Sequence, residues 1–225
     1  MKLSKKNPLI IILLGKSGSG KGTQADLLVE KFKLDYIGSG DLLRNRAKKN
    51  DFVGKRIAQI LSEGDLIPLP AIFKLWMDET EKIINKNKNF RGMVMDGNPR
   101  RIMEAYLIDD VFKFYRWDKN VKVFLVDISD KEAIWRLTNR RICKKCKEIV
   151  PFTKEFRNIK VCPQCGGELE KRSDDTISSV KKRLAWFRKD VQPIVNYYKK
   201  AGKLVKIDGE QSIENVFKDI LKALK

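Results

Sequence analysis

A glycine-rich segment with two lysines, residues 15–21 (GKSGSGK), follows the apolar run at residues 9–14. Glycines let the backbone curl so that successive N–H groups point at phosphate oxygens, and a helix that begins at the end of the segment adds its dipole. Lys21 would place a positive charge against the terminal phosphates of a nucleoside triphosphate. An ordinary glycine-rich turn is the alternative, but it needs neither a strand before it nor an amphipathic helix after it. The segment therefore predicts a phosphate-binding loop, with Thr23 one position later than the hydroxyl residue that usually follows the lysine.

The four cysteines of the chain form two Cys-x2-Cys pairs, and 15 residues separate the pairs. They are Cys143, Cys146, Cys162 and Cys165. In a cytosolic chain this spacing indicates a metal site rather than disulfides. Four thiolates fill a tetrahedral zinc ion and leave no position for a substrate, so the site would be structural. Iron or another thiolate-binding metal is one alternative, and four unrelated cysteines are another.

The chain has no histidine, so arginines, lysines and carboxylates must carry any chemistry. Its net charge is +19, from 48 Lys plus Arg against 29 Asp plus Glu. A protein this basic attracts anions, which include nucleotides, nucleic acids and acidic membranes. The lysines are scattered and their short clusters are not interleaved with aromatic residues, so the charge alone does not favour nucleic acid. A lysine-rich surface kept for solubility is the alternative.

Five short apolar runs alternate with helical segments and predict the strands that position these residues. The runs lie at residues 9–14, 34–37, 93–95, 121–126 and 204–207. Most are almost entirely apolar, as expected for parallel strands that are buried on both faces. The alternation predicts an α/β fold with a doubly wound, five-stranded parallel sheet that binds its ligands at the carboxyl ends of the strands. Gly15, Asp96 and Asp127 directly follow three of these strands and would lie at that edge.

Two segments interrupt the alternation of strands and helices. Residues 38–67 predict short helices, and residues 139–175 contain the cysteines and a hairpin signal rich in proline and glycine. We expect both segments to be insertions that close over the active edge of the sheet and exclude water. The core would then consist of residues 1–37, 68–138 and 176–225.

Three lysines precede the first apolar run, an order that resembles a secretory signal. The run is short, however, and the glycine-rich segment follows it in place of a cleavage site. A buried first strand is therefore the better interpretation. The sequence contains no apolar stretch of about 18 residues and predicts no membrane span. We expect a cytoplasmic protein.

Several segments resemble the adenylate kinase family, in the same order along the chain. They are residues 20–25 (GKGTQA), 38–44 (GSGDLLR), 96–100 (DGNPR), 136–143 (RLTNRRIC), 172–175 (RSDD) and 183–184 (RL). The first resembles the family's phosphate-binding loop, in which the threonine is displaced in the same way. The next two resemble its monophosphate-binding stretches, and the others resemble the two ends of its lid and the helix behind it. The resemblance implies a reversible, Mg²⁺-dependent transfer of the terminal phosphoryl group of ATP to AMP, giving two ADP. It also implies a monomer, and a structural zinc ion in a four-cysteine lid.

The resemblance also implies the roles of individual residues. The residues expected to be catalytic are Lys21, Arg100, Arg140, Arg172 and Arg183. Those expected to bind ATP are Gly18, Ser19, Gly20, Lys21, Gly22, Thr23, Arg136, Arg140, Ile149, Val150 and Gln211. Those expected to bind AMP are Ser39, Arg44, Asp65, Leu66, Ile67, Gly97, Asn98, Pro99, Arg100, Glu104, Arg172 and Arg183. Asp96 would order Mg²⁺ through its waters, or would cap the phosphate-binding loop.

The expected acceptor pocket departs from the family pattern at Glu104, Asn98 and Ser39, where the family usually has Gln, Phe and Thr. A Gln amide both donates and accepts hydrogen bonds, which suits N1 and the N6 amine of adenine, whereas an ionised Glu only accepts. Ionised Glu104 would pair better with guanine or with the amine of cytosine, so GMP and CMP are alternative acceptors to AMP. Alternatively, Glu104 pairs with Arg100 or Arg101 and leaves the base to backbone contacts.

Two rival functions belong to other classes of protein. A basic zinc-ribbon protein would bind nucleic acid, but it would not need the matched arginines. A P-loop regulator would hydrolyse ATP without an acceptor, but residues 38–44 and 97–100 would then be redundant. The sequence favours a nucleoside monophosphate kinase with neither nucleic acid nor membrane as a partner.

Overall fold

A computed structural model of the protein describes residues 3–150, 159–172 and 175–225. Within these ranges the strands are β1 (Leu9–Leu14), β2 (Asp35–Gly38), β3 (Gly92–Asp96), β4 (Val121–Asp127), β5 (Arg141–Cys143), β6 (Ile149–Val150), β7 (Leu169–Lys171) and β8 (Leu204–Asp208). The helices are α1 (Lys21–Phe32), α2 (Ser39–Ala47), α3 (Phe52–Glu63), α4 (Leu69–Lys86), α5 (Ile102–Phe114), α6 (Asp130–Asn139), α7 (Ile177–Trp186), α8 (Gln192–Lys200) and α9 (Ile213–Ala223). A 3₁₀ turn (Asp118–Asn120) precedes β4, and a π-helical turn (Phe187–Val191) joins α7 to α8.

Five strands form a parallel sheet in the order β2-β3-β1-β4-β8, with β1 at its centre. Ile10 on β1 lies opposite Met93 on β3 and Val121 on β4. The predicted α/β fold and all five predicted strands are confirmed, with strand ends that differ from the prediction by at most one residue. The order places β1 and β4 side by side, so the loops that follow them lie next to each other at the carboxyl edge.

The central strand is buried on both faces because helices cover both sides of the sheet. Alternate side chains of a strand point to opposite faces. Ile10 and Ile12 therefore pack into one apolar cluster with residues of α4, α5 and α8, whereas Ile11 and Leu13 pack into another with residues of α1 and α9. These two layers fix β1 and, with it, the loop that begins at Gly15.

The helical segment after β2 packs around a small apolar cluster formed by Leu43, Ile57 and Ile67 together with Ile72 of α4. Asp51 caps α3, because its side chain accepts the backbone N–H of Gly54 at 2.8 Å. Gly64 ends the same helix in the left-handed conformation, with φ at 78°. The predicted short helices of this segment are confirmed.

The cysteine-containing segment forms a three-stranded antiparallel sheet in the order β6-β5-β7. The predicted hairpin is confirmed, because the backbone N–H of Cys162 donates to the carbonyl of Gly167 and that of Gly166 donates to the carbonyl of Cys162. Of the predicted lid, residues 151–158 lie outside the described residues. Ser173 and Asp174, which belong to one of the matched segments, lie outside them as well.

None of the helices in the described part of the chain has the length and the apolar composition that a membrane span requires.

Candidate active site

The glycine-rich loop joins the end of β1 to the start of α1, as the sequence predicted. Gly18 and Gly20 have φ angles of 83° and 91°, which side chains with a Cβ rarely adopt. The loop curls around the side chain of Lys21, whose Nζ donates to the carbonyls of Gly15 and Lys16 at 2.8 Å each. Burial lowers the pKa of Lys21, and the carboxylate of Asp96 opposes this shift. The ammonium thus lies at the centre of the loop, where it can meet a phosphate oxygen.

A second lysine anchors the same loop to the neighbouring strand. Lys16 Nζ donates to the carbonyl of Ile128 at 2.6 Å, just after β4, and forms an ion pair with Asp130 at 2.9 Å. Asp130 also pairs with Arg188 of the π-helical turn at 2.6 Å. Sequence reasoning missed Lys16 and Asp130, because nothing in the motif shows which distant carboxylate would meet the extra lysine.

Above the loop lies an open cleft of about 550 Å³. The charged residues predicted for the site converge on it from the phosphate-binding loop, the strand ends and both insertions. These are Lys21, Arg44, Asp96, Arg100, Arg136, Arg140, Arg172 and Arg183. Several positive charges around one cleft create a field suited to polyanions. Such a cleft can hold two phosphate chains that would otherwise repel each other.

Other predicted residues also line this cleft. They are Gly18, Ser19, Gly20, Gly22, Thr23, Gly97, Ile149 and Gln211. Leu66 and Pro99 line an adjoining cavity of about 100 Å³, together with Lys21, Arg100 and Arg183. The two cavities thus share the cations at the middle of the site.

Some predicted residues are not among those that line the cleft in the described structure. Asp65 is exposed, and Ile67 is buried, with its carbonyl accepting a hydrogen bond from Arg101 at 3.2 Å. Ser39 is buried at the start of α2, and Val150 is buried opposite Arg141 in the small sheet. Their expected contacts with nucleotides stay predictions.

Asp175 holds two of the cleft arginines in place. Its carboxylate receives hydrogen bonds from Arg140 Nε and Nη2 at 2.7 and 2.9 Å, and from Arg183 Nη2 at 2.8 Å. Burial alone would raise the pKa of Asp175, but the hydrogen bonds and charges of the two arginines outweigh it and lower that pKa. The carboxylate therefore stays ionised and orients both guanidinium groups. Asp175 belongs to one of the matched segments, but its pairing with the two arginines could not be predicted from the sequence.

Asp96 ends β3 beside the phosphate-binding loop, where its Oδ2 lies 3.9 Å from the position that a Cβ on Gly22 would occupy. A carboxylate at the cleft together with phosphate oxygens matches the ligands of Mg²⁺, which retains several waters and takes one or two carboxylates. The residues present therefore fit a magnesium ion bound with a nucleotide.

The acceptor side of the site contains the buried carboxyl of Glu104, which is 6% exposed. Its Oε2 accepts the backbone N–H of Arg100 at 2.7 Å, whereas the guanidinium of Arg100 donates to the carbonyl of Gly97. Burial raises the pKa of Glu104, and the Arg100 N–H and the charges of Arg100 and Arg101 oppose the shift. Glu104 and Asn98 line a separate small cavity of about 10 Å³.

The four cysteines come together at one end of the small sheet. Their Sγ atoms all lie within 4.8 Å of one another, and the Sγ atoms of Cys143 and Cys165 are 3.5 Å apart. Hydrogen bonding from the backbone of Cys146 helps to lower the pKa of the Cys143 thiol to about 6, whereas burial and hydrogen bonds to the other three thiols raise the pKa of Cys146 to about 12. Four clustered sulfurs fit a tetrahedral metal site. All four cysteines are free thiols, and the metal that their spacing predicts stays a prediction.

Comparisons with known proteins give a consistent result. A family model described as "Adenylate kinase" matches residues 13–203. The chain is similar to the adenylate kinase of Chlamydia muridarum (strain MoPn / Nigg), with 37% identity over 228 residues that cover 97% of this chain and 88% of the relative. It is similar to the adenylate kinase of Caldicellulosiruptor bescii, with 37% identity over 217 residues that cover 95% of this chain and 98% of the relative. For the adenylate kinase of Caldanaerobacter subterraneus subsp. tengcongensis, the identity is 37% over 215 residues, and the coverage is 95% of each chain.

Proposed function

Because the chain belongs to the adenylate kinase family and is a nucleoside monophosphate kinase, we propose that it transfers the terminal phosphoryl group of ATP to AMP. The reaction is reversible, depends on Mg²⁺ and gives two ADP. The observation that carries the proposal is the cleft above the phosphate-binding loop, on which two lysines and six arginines converge from both insertions and the core.

At the donor end, the phosphate-binding loop holds the triphosphate of ATP. The backbone N–H groups of residues 18–23 and the ammonium of Lys21 bind its β- and γ-phosphates. Arg136 and Arg140 approach from α6 and its end, where planar guanidinium groups can each grip two phosphate oxygens. Ile149 and Gln211 line the same cleft and are proposed to contact the nucleoside. Val150 is proposed to contribute through its backbone.

At the acceptor end, Arg44 and Arg100 hold the phosphate of AMP, and Arg172 and Arg183 bridge toward the group in transfer. An oxygen of the AMP phosphate bonds to the γ-phosphorus while the bond to the β,γ-bridging oxygen breaks, so both products are ADP. The chain supplies alignment and positive charge, which is most of what phosphoryl transfer requires. Asp96 would hold Mg²⁺ through water, and the bound ion would supply positive charge that offsets the charge of the phosphates.

Glu104 is proposed to read the acceptor base as a neutral carboxyl group. Burial favours its protonated form, and a protonated carboxyl donates one hydrogen bond and accepts others, as a Gln amide does. It then suits both N1 and the N6 amine of adenine. Ser39, Asp65, Leu66, Ile67, Gly97, Asn98 and Pro99 are proposed to complete the AMP pocket.

The proposed domain organisation follows the sequence prediction. Residues 38–67 act as the monophosphate-binding insertion and residues 139–175 as the lid, with residues 1–37, 68–138 and 176–225 as the core. The four thiolates are proposed to bind zinc, which would cross-link a lid segment that has little apolar core of its own. A monomeric, cytoplasmic enzyme with neither nucleic acid nor membrane as a partner stays a prediction.

The proposal is tested by steady-state turnover of Mg·ATP with AMP, GMP, CMP and UMP. We expect kcat/KM to be highest for AMP. A clear preference for GMP or CMP would still show a kinase activity, but it would indicate that Glu104 is ionised rather than neutral. The same assay with Glu104→Gln is the matched control, because Gln has a fixed donor and acceptor and should retain the preference for AMP.

A further inference from the structure

Between α4, α5 and the loop after β3 lies a small cavity of about 10 Å³, which Glu104 helps to line. It is lined by Ile72, Phe73, Trp76, Asn98, Glu104 and Ile108. Two polar atoms on these residues are buried and have no hydrogen-bonding partner among the described residues. They are Nε1 of Trp76, which is 1% exposed, and Oδ1 of Asn98, which is 3% exposed.

These two atoms have opposite hydrogen-bonding character. The indole Nε1–H of Trp76 can only donate, and Oδ1 of Asn98 can only accept. Buried polar atoms in native proteins are paired with protein groups or with ordered water, because an unpaired one retains its full cost of desolvation. A polar cavity of about 10–15 Å³ is large enough for one water, which typically makes about three hydrogen bonds.

We propose that this cavity holds one ordered water molecule, which accepts a hydrogen bond from Trp76 and donates one proton to Asn98 and the other to the carboxyl of Glu104. These three bonds give the water its usual number of partners and satisfy both unpaired atoms. Trp76 and Asn98 are then positioning residues for the group that faces the acceptor base. This inference rests on the proposed function, in which Glu104 reads that base.

Packing of the indole ring supports its part in this arrangement. Trp76 lies edge-on to Phe112, with ring centroids 6.0 Å apart, and 5.7 Å from the ring of Phe73. The indole is thereby held on two sides, so the direction of its N–H is fixed. Glu104, in contrast, is tied at Oε2 to the backbone of Arg100. One hydrogen bond leaves the carboxyl free to rotate about it, and a second bond from the water would fix its plane.

The water is detected on the wild-type protein by NMR. We expect cross-relaxation between the indole N–H of Trp76 and a proton at the water chemical shift, because the water is bound within hydrogen-bond distance. In Asn98→Leu, which replaces the amide by an apolar group of similar size, we expect this signal to be lost and the Trp76 indole resonance to shift. The proposal would be overturned if the wild-type protein lacked the cross-peak, or if the chemical shift of the Trp76 indole were unchanged in Asn98→Leu.

The functional role is tested by the kinetics of Trp76→Phe. We expect its KM for AMP to rise about 3- to 10-fold, which corresponds to the loss of one hydrogen bond, while kcat and KM for ATP stay within about twofold. The matched control is Trp117→Phe, because Trp117 is also a buried indole and donates to the carbonyl of Lys5 at 3.2 Å, outside this cavity. That variant also loses ring volume and one N–H, and its KM for AMP should not change.

An equal change of KM for AMP in Trp76→Phe and Trp117→Phe would assign the effect to packing and overturn the positioning role. The NMR experiment needs no substrate. If AMP proves not to be the acceptor, the spectrum still decides whether the water is present, so failure of the proposed function is distinguishable from failure of this inference.

Discussion

The pairing of Asp175 with two cleft arginines leads to a prediction for the substitution Asp175→Asn. An Asn side chain has almost the same shape, but it carries no charge and has one acceptor oxygen in place of two. In the wild-type protein, the side chain of Asp175 is 3% exposed and accepts three charge-assisted hydrogen bonds of 2.7–2.9 Å. In the variant, Arg140 and Arg183 lose the negative charge of Asp175, and the new amide N–H₂ faces a guanidinium group.

The size of the effect follows from the burial of the pair. Removing one partner of a buried ion pair costs about 3–5 kcal/mol, because the remaining charge stays desolvated. The arginines are 16% and 20% exposed and the Asn oxygen still accepts a bond, so the lower end of that range applies. We expect the free energy of unfolding to fall by about 3 kcal/mol, which lowers Tm by roughly 6–12 °C in a chain of this size.

The contribution of Asp175 to the free energy of unfolding should decrease in acid. The pKa of Asp175 is lowered in the folded protein, so its contribution to stability is present above the pKa of an unfolded Asp, about 3.9. The contribution is lost as the pH falls through the lower pKa of the folded state. The difference in stability between wild type and Asp175→Asn should therefore be full at neutral pH and shrink in acid.

The assay is urea unfolding at neutral pH, together with kcat for the transfer from ATP to AMP. We expect kcat to fall about 10²-fold, since misplacing a positioned group by about 1 Å has that effect. The control is Asp78→Asn, which breaks an exposed i,i+4 pair with Lys74 and should change stability by less than about 1 kcal/mol. An Asp175→Asn protein with the stability and kcat of Asp78→Asn would refute the argument that the buried carboxylate orients the arginines.

Two further predictions concern Glu104 and the cysteines. Because burial raises the pKa of Glu104 and its neutral form is the one that donates to adenine, KM for AMP should rise as the pH increases through that pKa. Glu104→Gln should remove this rise, and a pH-independent wild-type KM would contradict the proposed protonation state. Because four thiolates close the metal site, Cys162→Ser should lower both the zinc content per chain, measured by atomic absorption, and Tm. Full retention of zinc in that variant would show that the four sulfurs do not act as one site.

The parts of the fold that sequence patterns predicted are those that depend on short-range signals. The strand at residues 9–14 is uniformly apolar because helices cover both faces of the sheet, and the glycine-rich loop after it is specified by residue type and spacing. The two cysteine pairs were informative for the same reason, since thiolates at this spacing have few other uses. Patterns of this kind also located the cations of the cleft, once the resemblance to a family had selected them from a strongly basic chain.

The parts that could not be predicted depend on residues that meet only in the folded chain. The pair of Lys16 and Asp130 joins the phosphate-binding loop to the start of α6, which neighbouring strands bring together, and no local pattern predicts it. The role of Asp175 depends on the positions of Arg140 and Arg183 across the cleft. The indole N–H of Trp76 has no partner among the described residues, and this could not be predicted because in the sequence Trp76 is one more apolar residue of a helix. The π-helical turn at Phe187–Val191, which brings Arg188 to Asp130, likewise has no local signal.

The central claim is that the cleft holds two nucleotides and transfers a phosphoryl group directly between them. It is tested most directly by ³¹P NMR of the protein with ATP, AMP and Mg²⁺. The account predicts that ATP and AMP disappear together and that two ADP form for each ATP consumed, without inorganic phosphate. Release of inorganic phosphate with AMP unchanged would identify an ATPase and contradict the account.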